Sequence, residues 1–188
     1  MNREHTALLV IDLQERLAAA MDRRHEVVST ATFLCQVAGI TGIDVLSTRQ
    51  YPRGLGETEP VVAAALDAVA SLGGTVLHAD KMAFDCFRDP AFCEALIATD
   101  RRQLLITGME THICVAQTAL SALARGYDVH VVADGCCSRD DESHRIALDR
   151  LRAAGAVITV AESAAYELVG EAGTAEFKEL LKVVKERG

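Results

Sequence analysis

Short apolar runs that alternate with helical patterns most constrain what this chain can fold into. Most of these runs are nearly continuous in apolar residues, which is typical of strands covered by helices on both faces of a parallel sheet. Six of them are candidate strands, at positions 7–12, 43–48, 75–80, 103–108, 127–134 and 156–162. The chain therefore predicts a repeated strand–helix unit.

The segments between the runs have the spacing of amphipathic helices, most clearly near the end, where Phe177, Leu180, Leu181 and Val184 follow i, i+3, i+4, i+7. Glycines mark expected helix ends at Gly39, Gly73, Gly126 and Gly155. These patterns predict a three-layer α/β/α Rossmann-like fold with a mostly parallel six-stranded sheet. No linker divides the chain, so we expect one domain over 1–188, with a C-terminal helical tail at about 163–188.

Composition excludes several classes of function. A formal net charge of -8 and the lack of a basic block argue against nucleic-acid and anionic-membrane partners. No apolar stretch approaches the roughly 18 residues of a spanning helix, and the start does not resemble a signal peptide. We expect a soluble, cytoplasmic protein. The residues after the first strand, 12–16, contain no glycine-rich fingerprint, which argues against a dinucleotide-binding oxidoreductase and predicts no cofactor.

Three chemically capable residues stand where strands end. Asp12 closes the first run, Lys81 follows the third, and Cys114 lies just after Gly108, where the fourth run breaks and a helical pattern begins. In doubly wound folds, ligands bind beyond the carboxyl ends of the strands. With Thr111 as helix cap, Cys114 would occupy the first helical turn, where the dipole lowers a thiol pKa.

Each of these residues also has a purely structural interpretation. Asp12 could cap the next helix, Lys81 could be an exposed charge, and Cys114 could be a core residue. Together they form a nucleophile, a base and a cation, and backbone amides at the helix start could hold an oxyanion. That set suits acyl transfer.

The ordered set Asp…Lys…Cys, with ALLVIDLQ at 7–14 and TGMETHICVAQTALSALARGYDVHVVADGC at 107–136, resembles the isochorismatase-like cysteine hydrolases over essentially the whole chain. The segments TRQYPRGLGETEP and SRDDESHRIALDRLRAAGA are similar to the short isochorismatase-domain-containing proteins of that family. The resemblance implies a catalytic triad of Asp12, Lys81 and Cys114. It also implies an oxyanion hole from the backbone amides of Glu110 and Cys114, with a cis peptide before Glu110.

The resemblance implies hydrolysis of a small amide-type substrate through a thioester. One alternative is vinyl-ether cleavage of the isochorismatase type, where the cysteine position is usually glycine. Another is a catalytically silent protein that binds small molecules or other proteins. Members of this family commonly form homo-oligomers, so we expect a dimer or larger, with the apolar C-terminal helix as one surface to bury.

Residues that flank the strand ends are the candidates for substrate binding. We expect no metal, because 47–52 replaces the Asp-x-His-type metal motif of related nicotinamidases and no cysteine pair has metal-ligand spacing. The loop 53–56 could cover the site or contact a partner subunit. Glu110 could repel anionic substrates or face solvent. For His112, we favour a position at the pocket rim or at an interface over a role as catalytic base. The candidates are Gln14, Gln50, Tyr51, Met82, Phe84, Glu110 and His112.

Overall fold

A computed structural model describes residues 1–187 of the chain. Its strands are β1 (Thr6–Ile11), β2 (Asp44–Gln50), β3 (Val76–Lys81), β4 (Gln103–Met109), β5 (Asp128–Cys137) and β6 (Val157–Thr159). They form one sheet in the order β3-β2-β1-β4-β5-β6, and every pairing is parallel. The predicted parallel α/β fold is confirmed.

Helices connect the strands along the chain. They are α1 (Glu15–Ala18), α2 (Arg24–Thr41), α3 (Pro52–Leu55), α4 (Pro60–Ser71), α5 (Pro90–Ala98), α6 (Ala116–Ala124), α7 (Asp141–Ala153), α8 (Ala161–Val169) and α9 (Ala175–Arg187). A 3-10 turn covers Cys86–Arg88, and a π turn, Thr111–Val115, joins β4 to α6. The predicted tail therefore contains most of α8 and all of α9, and its last residue, Gly188, lies outside the described residues.

Two apolar layers cover the sheet, one on each face. In β1, Leu8 and Val10 pack with α2, α4, α8 and α9, whereas Ala7, Leu9 and Ile11 pack with α5, α6 and part of α7. Successive side chains of a strand point to opposite faces, so a continuous apolar strand fills both layers. This is the physical reason for the unbroken apolar runs in the sequence.

Three local predictions were wrong. Helix α2 runs through Gly39 and ends at Gly42, whose φ of 70° only glycine adopts easily. Strand β5 continues past Asp134 to Cys137, which moves its carboxyl end to Ser138 and Arg139. The segment at 53–56, expected as a loop, is mostly the short helix α3.

Candidate active site

The order of the strands reverses between β1 and β4, and the candidate site lies at their carboxyl ends. Gly108 allows the close approach of these strands, because a Cβ at this position would lie 2.0 Å from the Ile11 carbonyl oxygen. Its φ of 143° is also one that other residues rarely adopt. Asp12 and the π turn that carries Cys114 therefore face each other across the switch point.

Asp12 is fully buried and has a φ of 54°, in the left-handed region. Its carboxylate accepts hydrogen bonds from Thr48 Oγ1 at 2.8 Å and from Lys81 Nζ at 2.7 Å. The residue before α1 is Gln14, and its side chain makes no capping bond. The interpretation of Asp12 as a helix cap is therefore wrong.

Lys81 reaches the site from a strand that is not adjacent to β1. Strand β2 lies between them, so β3 and β1 are two strand spacings, or roughly 10 Å, apart. The side chains of Lys81 and Asp12 bridge this distance together. Its ammonium group is buried, and it donates at 2.7 Å to Gln50 Oε1 as well as to Asp12. Burial alone would lower the pKa of Lys81, but the Asp12 carboxylate raises it above its usual value. Lys81 therefore remains a cation.

Cys114 lies in the π turn and is 5% exposed. Burial and the adjacent Asp12 carboxylate raise the pKa of its thiol, and the opposing effect of Lys81 is smaller. The expectation of a lowered pKa is therefore wrong. The helix dipole favours an anion here, but removal from water and a neighbouring carboxylate both oppose thiolate formation. In the resting site the thiol carries its proton.

Thr111 does not cap the helix, contrary to the sequence prediction. Its hydroxyl lies 2.8 Å from His144 Nδ1, and His144 Nε2 lies 3.2 Å from Arg23 Nη1. A guanidinium group can only donate, so Nε2 accepts and Nδ1 carries the hydrogen that is donated to Thr111. His144, on α7, thus holds the π turn in its neutral form.

Backbone amides near Cys114 are arranged around the carbonyl of Glu110. The amides of Ile113 and Val115 donate to this carbonyl at 3.0 and 3.3 Å, and the Cys114 amide between them does not share in this pairing. The peptide bond between Met109 and Glu110 is cis. The Glu110 side chain does not face solvent: its Oε2 accepts from the Arg139 amide at 3.0 Å and from Arg139 Nε at 3.1 Å.

A cleft of about 340 Å³ opens above Cys114. Its apolar walls come from α1, α3, the loop after β3 and the π turn, and consist of Leu17, Ala20, Leu55, Phe84 and Ile113. Its polar lining consists of Arg16, Gln50, Glu110 and Arg139. Phe84 is 52% exposed, so it belongs to the mouth of the cleft and not to the core.

Four of the substrate-binding candidates do not line this cleft. Gln14 is fully buried, and its side-chain amide bonds to backbone groups of Gln50 and Gly56. Tyr51 and Met82 are exposed outside the cleft. His112 bonds to Ser138 Oγ at 2.8 Å and lines a separate groove on α7. Gln50, Phe84 and Glu110 are the candidates that do line the cleft, and Gln50 also holds Lys81.

Sequence reasoning missed two residues of the lining that carry charge. Arg139 lies just after the carboxyl end of β5. The sequence prediction ended this strand at Asp134, so Arg139 was not counted among the strand-end residues. Arg16 lies on α1, four residues after Asp12, and no strand-end argument selects it. A correct end for β5 would have added Arg139 to the candidates by the same logic that selected Lys81.

No helix in residues 1–187 is both long and apolar enough to cross a bilayer. In the same range, no group of three or more histidine, cysteine, aspartate or glutamate residues is placed to hold a metal ion.

Known proteins resemble this chain in sequence over most of its length. The Isochorismatase domain model matches residues 6–163. Isochorismatase domain-containing protein 1 from Salmo salar is 35% identical over 96% of this chain, and the chain spans 61% of that relative's length.

Solved structures resemble the chain along most of its length. The MAR1 ribonuclease from Caenorhabditis elegans has a TM-score of 0.88 and 32% identity, covering 98% of this chain and 92% of the other. The nicotinamidase SaPncA from Staphylococcus aureus has a TM-score of 0.76 and covers 83% of this chain and 99% of its own, but its 23% identity supports the fold alone. With the family model matched over most of its sequence, this chain belongs to the isochorismatase family and has the isochorismatase-like hydrolase fold.

Proposed function

We propose that this protein is a cysteine-dependent hydrolase that cleaves the C–N bond of a small amide-type substrate through a thioester. The observation that carries the proposal is that Cys114 lines the cleft while the buried pair of Asp12 and Lys81 lies beside its thiol, with Lys81 Nζ 2.7 Å from Asp12 Oδ2. A nucleophile, a base and a cation at one point are what acyl transfer requires.

The raised thiol pKa assigns an order to the proton transfers. Asp12 takes the thiol proton as the sulfur attacks the carbonyl carbon, so no free thiolate accumulates beforehand. Lys81 stays positive and offsets the charge that develops between Asp12 and the sulfur. The amides of Glu110 and Cys114 receive the oxyanion. Asp12 then gives its proton to the leaving nitrogen as the C–N bond breaks.

Water completes the cycle. Asp12 accepts a proton from a water molecule while the water oxygen attacks the thioester carbon. The carbon–sulfur bond breaks, the acid product leaves, and the proton returns to Cys114. The Asp12 carboxylate acts alternately as base and acid in these steps. It can do so because it lies beside both the Lys81 ammonium group and the Cys114 thiol.

The worm neighbour is named a ribonuclease, and this comparison raises phosphodiester cleavage as a second possibility. Charge argues against it here, because the chain carries a net charge of -8 and phosphate backbones bind basic surfaces. A cleft of about 340 Å³ also suits a small molecule better than a polymer. We therefore propose an amide as the scissile group.

Replacement of the thiol tests the proposal. We expect Cys114→Ala and Cys114→Ser to lower turnover of the best amide, ureide or hydroxamate in a substrate screen by about 10⁴-fold or more. Mass spectrometry of wild-type protein with that substrate should show a covalent acyl adduct on Cys114. Cys93→Ser, which changes a half-buried thiol away from the cleft, is the matched control.

Other outcomes would identify the alternatives. Full amide turnover by Cys114→Ala would contradict a covalent mechanism. Cleavage of a vinyl ether that survives this substitution would favour the isochorismatase-type reaction. Binding of small molecules without turnover of any amide in the screen would favour a silent member of the family.

A further inference from the structure

The charge of the cleft is opposite in sign to that of the chain. Arg16 and Arg139 are exposed at its rim, while Glu110 and Cys114 are buried below them. Beneath the cleft, the charges of the buried Asp12 and Lys81 side chains cancel each other. The residues that line the cleft include two cations and one anion, hence a net charge of +1, on a chain whose net charge is -8.

Arg139 is oriented by a buried carboxylate and still has donors to offer. Glu110 Oε2 accepts from the backbone amide and from Nε of Arg139, which fixes one edge of the guanidinium group. Within residues 1–187, neither Nη atom of Arg139 bonds to a protein acceptor. A guanidinium group offers five N–H donors in a planar fork, so the edge that remains can receive a planar anion.

Among residues 1–187, no carboxylate pairs with the Arg16 guanidinium group. Its Nη1 donates to the carbonyl oxygens of Arg53 and Gly54, at 3.2 and 3.1 Å, which attaches α1 to α3 beside the cleft. No ion pair to Arg16 exists in the part of the chain described here, whereas Arg23, Arg24 and Arg49 all pair with acids. Neutral carbonyl groups hold the side chain in place without cancelling its charge.

We propose that the substrate carries a carboxylate, bound by Arg139 and Arg16 at the rim while its amide reaches Cys114. This inference rests on the proposed function, and names its substrate class as small amides that bear a carboxylate. Leu17, Leu55, Phe84 and Ile113 contact the apolar body between the two groups. Arginine suits a carboxylate because both are planar and can form two parallel hydrogen bonds. Glu110 thus orients a cation and does not serve to repel anions.

Thiol-directed probes test this without a known substrate. N-iodoacetyl-β-alanine is an anion, and its N-methylamide is neutral with the same reactive group and nearly the same length. We expect kinact/KI for modification of wild-type Cys114 to be at least about tenfold higher with the anionic probe than with the neutral one, after division by the same ratio measured with glutathione. The difference should lie in KI, because the carboxylate strengthens binding and does not change the reactive group. Peptide mass spectrometry assigns the modification to Cys114.

Charge variants locate the effect. Arg16→Gln and Arg139→Lys should each reduce the preference for the anion, the second because lysine keeps the charge but loses the fork. Arg53→Gln is the matched control, because it removes the same charge from the neighbouring helix but its side chain does not line the cleft. Equal effects of Arg16→Gln and Arg53→Gln would overturn the proposal.

A binding measurement separates this inference from the proposed function. N-acetyl-β-alanine and its N-methylamide can be titrated onto Cys114→Ala by ligand-observed NMR, which needs no reactive thiol. Tighter binding of the carboxylate, lost in the variant that also carries Arg16→Gln, supports the inference even if no amide is ever turned over. Equal binding of the two ligands overturns it, even if Cys114 proves to be a nucleophile.

Discussion

Asp12 combines several tasks in one buried side chain. It accepts hydrogen bonds from Thr48 and Lys81, and it raises the pKa of the neighbouring Cys114 thiol. Its φ of 54° is uncommon outside glycine, although aspartate tolerates this region better than most residues. Such backbone strain is found where the surrounding structure enforces a functional geometry.

Asp12→Asn should separate thiol acidity from catalysis. Without the carboxylate, burial still opposes thiolate formation, but no negative charge at position 12 offsets the effect of Lys81, which favours the thiolate. We expect the Cys114 pKa to fall and its alkylation by iodoacetamide at pH 7.5 to become faster, on the order of tenfold. Amide turnover should fall by about 10²–10⁴-fold, because the base is lost.

Intact-mass kinetics measures the alkylation, with Asp12→Asn/Cys114→Ala to subtract the other cysteines. Thermal melting confirms that the variant is folded, since Lys81 keeps its bond to Gln50. Slower alkylation of Asp12→Asn than of wild type would contradict the assignment of Asp12 as the group that holds the thiol proton.

At this scale the sequence selected the three residues that the fold brings together but did not predict the protonation state of the thiol. Asp12, Lys81 and Cys114 are strand-end residues, and a strand end can be read from the point where an apolar run stops. The thiol pKa depends on burial and on a carboxylate that is distant in sequence. Only the folded arrangement brings those two causes to Cys114.

At the scale of elements, the π turn Thr111–Val115 is held from outside by α7. His144 donates to Thr111 and accepts from Arg23, while Glu26 and Asp141 are the nearby acids. Burial and the Arg23 cation lower the pKa of His144 below its ordinary value. A protonated His144 could not accept from Arg23, so the turn depends on the neutral ring.

This arrangement predicts a pH dependence of stability. Because the pKa of His144 is lower in the folded than in the unfolded chain, its contribution is complete above the unfolded value, about 6.5. That contribution is lost as the pH falls through the folded value. Thermal melting of wild type between pH 8 and 5 should therefore show a loss of Tm at the acid end.

His144→Asn isolates the effect. It should lower Tm at pH 8, because the bond to Arg23 is lost, and its Tm should change less with pH than that of wild type. His130, whose pKa is also lowered by burial, is present in both proteins. Its contribution therefore cancels in the difference in Tm between wild type and His144→Asn. His78→Asn, at an exposed position, is the control. Parallel profiles for wild type and His144→Asn would contradict the prediction.

Element boundaries show where local sequence signals fail. Gly39 looked like a helix end, but α2 continues through it to Thr41, and Gly42 supplies the left-handed residue that ends the helix. The end of β5 was placed too early because Asp134 and Gly135 resemble a turn. Thr107 Oγ1 instead bonds to the carbonyl of Gly135 and keeps β5 beside β4.

At the scale of the whole molecule, the C-terminal helix is already covered. Leu180 of α9 is fully buried, and Val183 and Val184 pack against the layer that contains α2. It is therefore not the large free apolar surface that the sequence indicated. Other large apolar side chains remain exposed, among them Ile97, Ile146 and Met82.

We still expect a homo-oligomer, a dimer or larger, because scattered apolar exposure near the cleft and on α7 can be buried between copies. Light scattering after size-exclusion chromatography should give a mass of at least two chains at micromolar concentration. Ile146→Asp, which places a charge on α7, should lower that mass if this helix is in the contact. A monomer at every concentration would contradict the prediction.

The sequence by itself determined the parallel sheet and its helical layers and selected the three candidate catalytic residues, because apolar periodicity and strand ends are local signals. Only the tertiary structure decided how Lys81 crosses β2 to reach Asp12, why Cys114 keeps its proton, and which arginines face the cleft. Those properties depend on distances between segments far apart in the chain. They are set by strand order, burial and the electric field of neighbours, which a linear pattern does not contain.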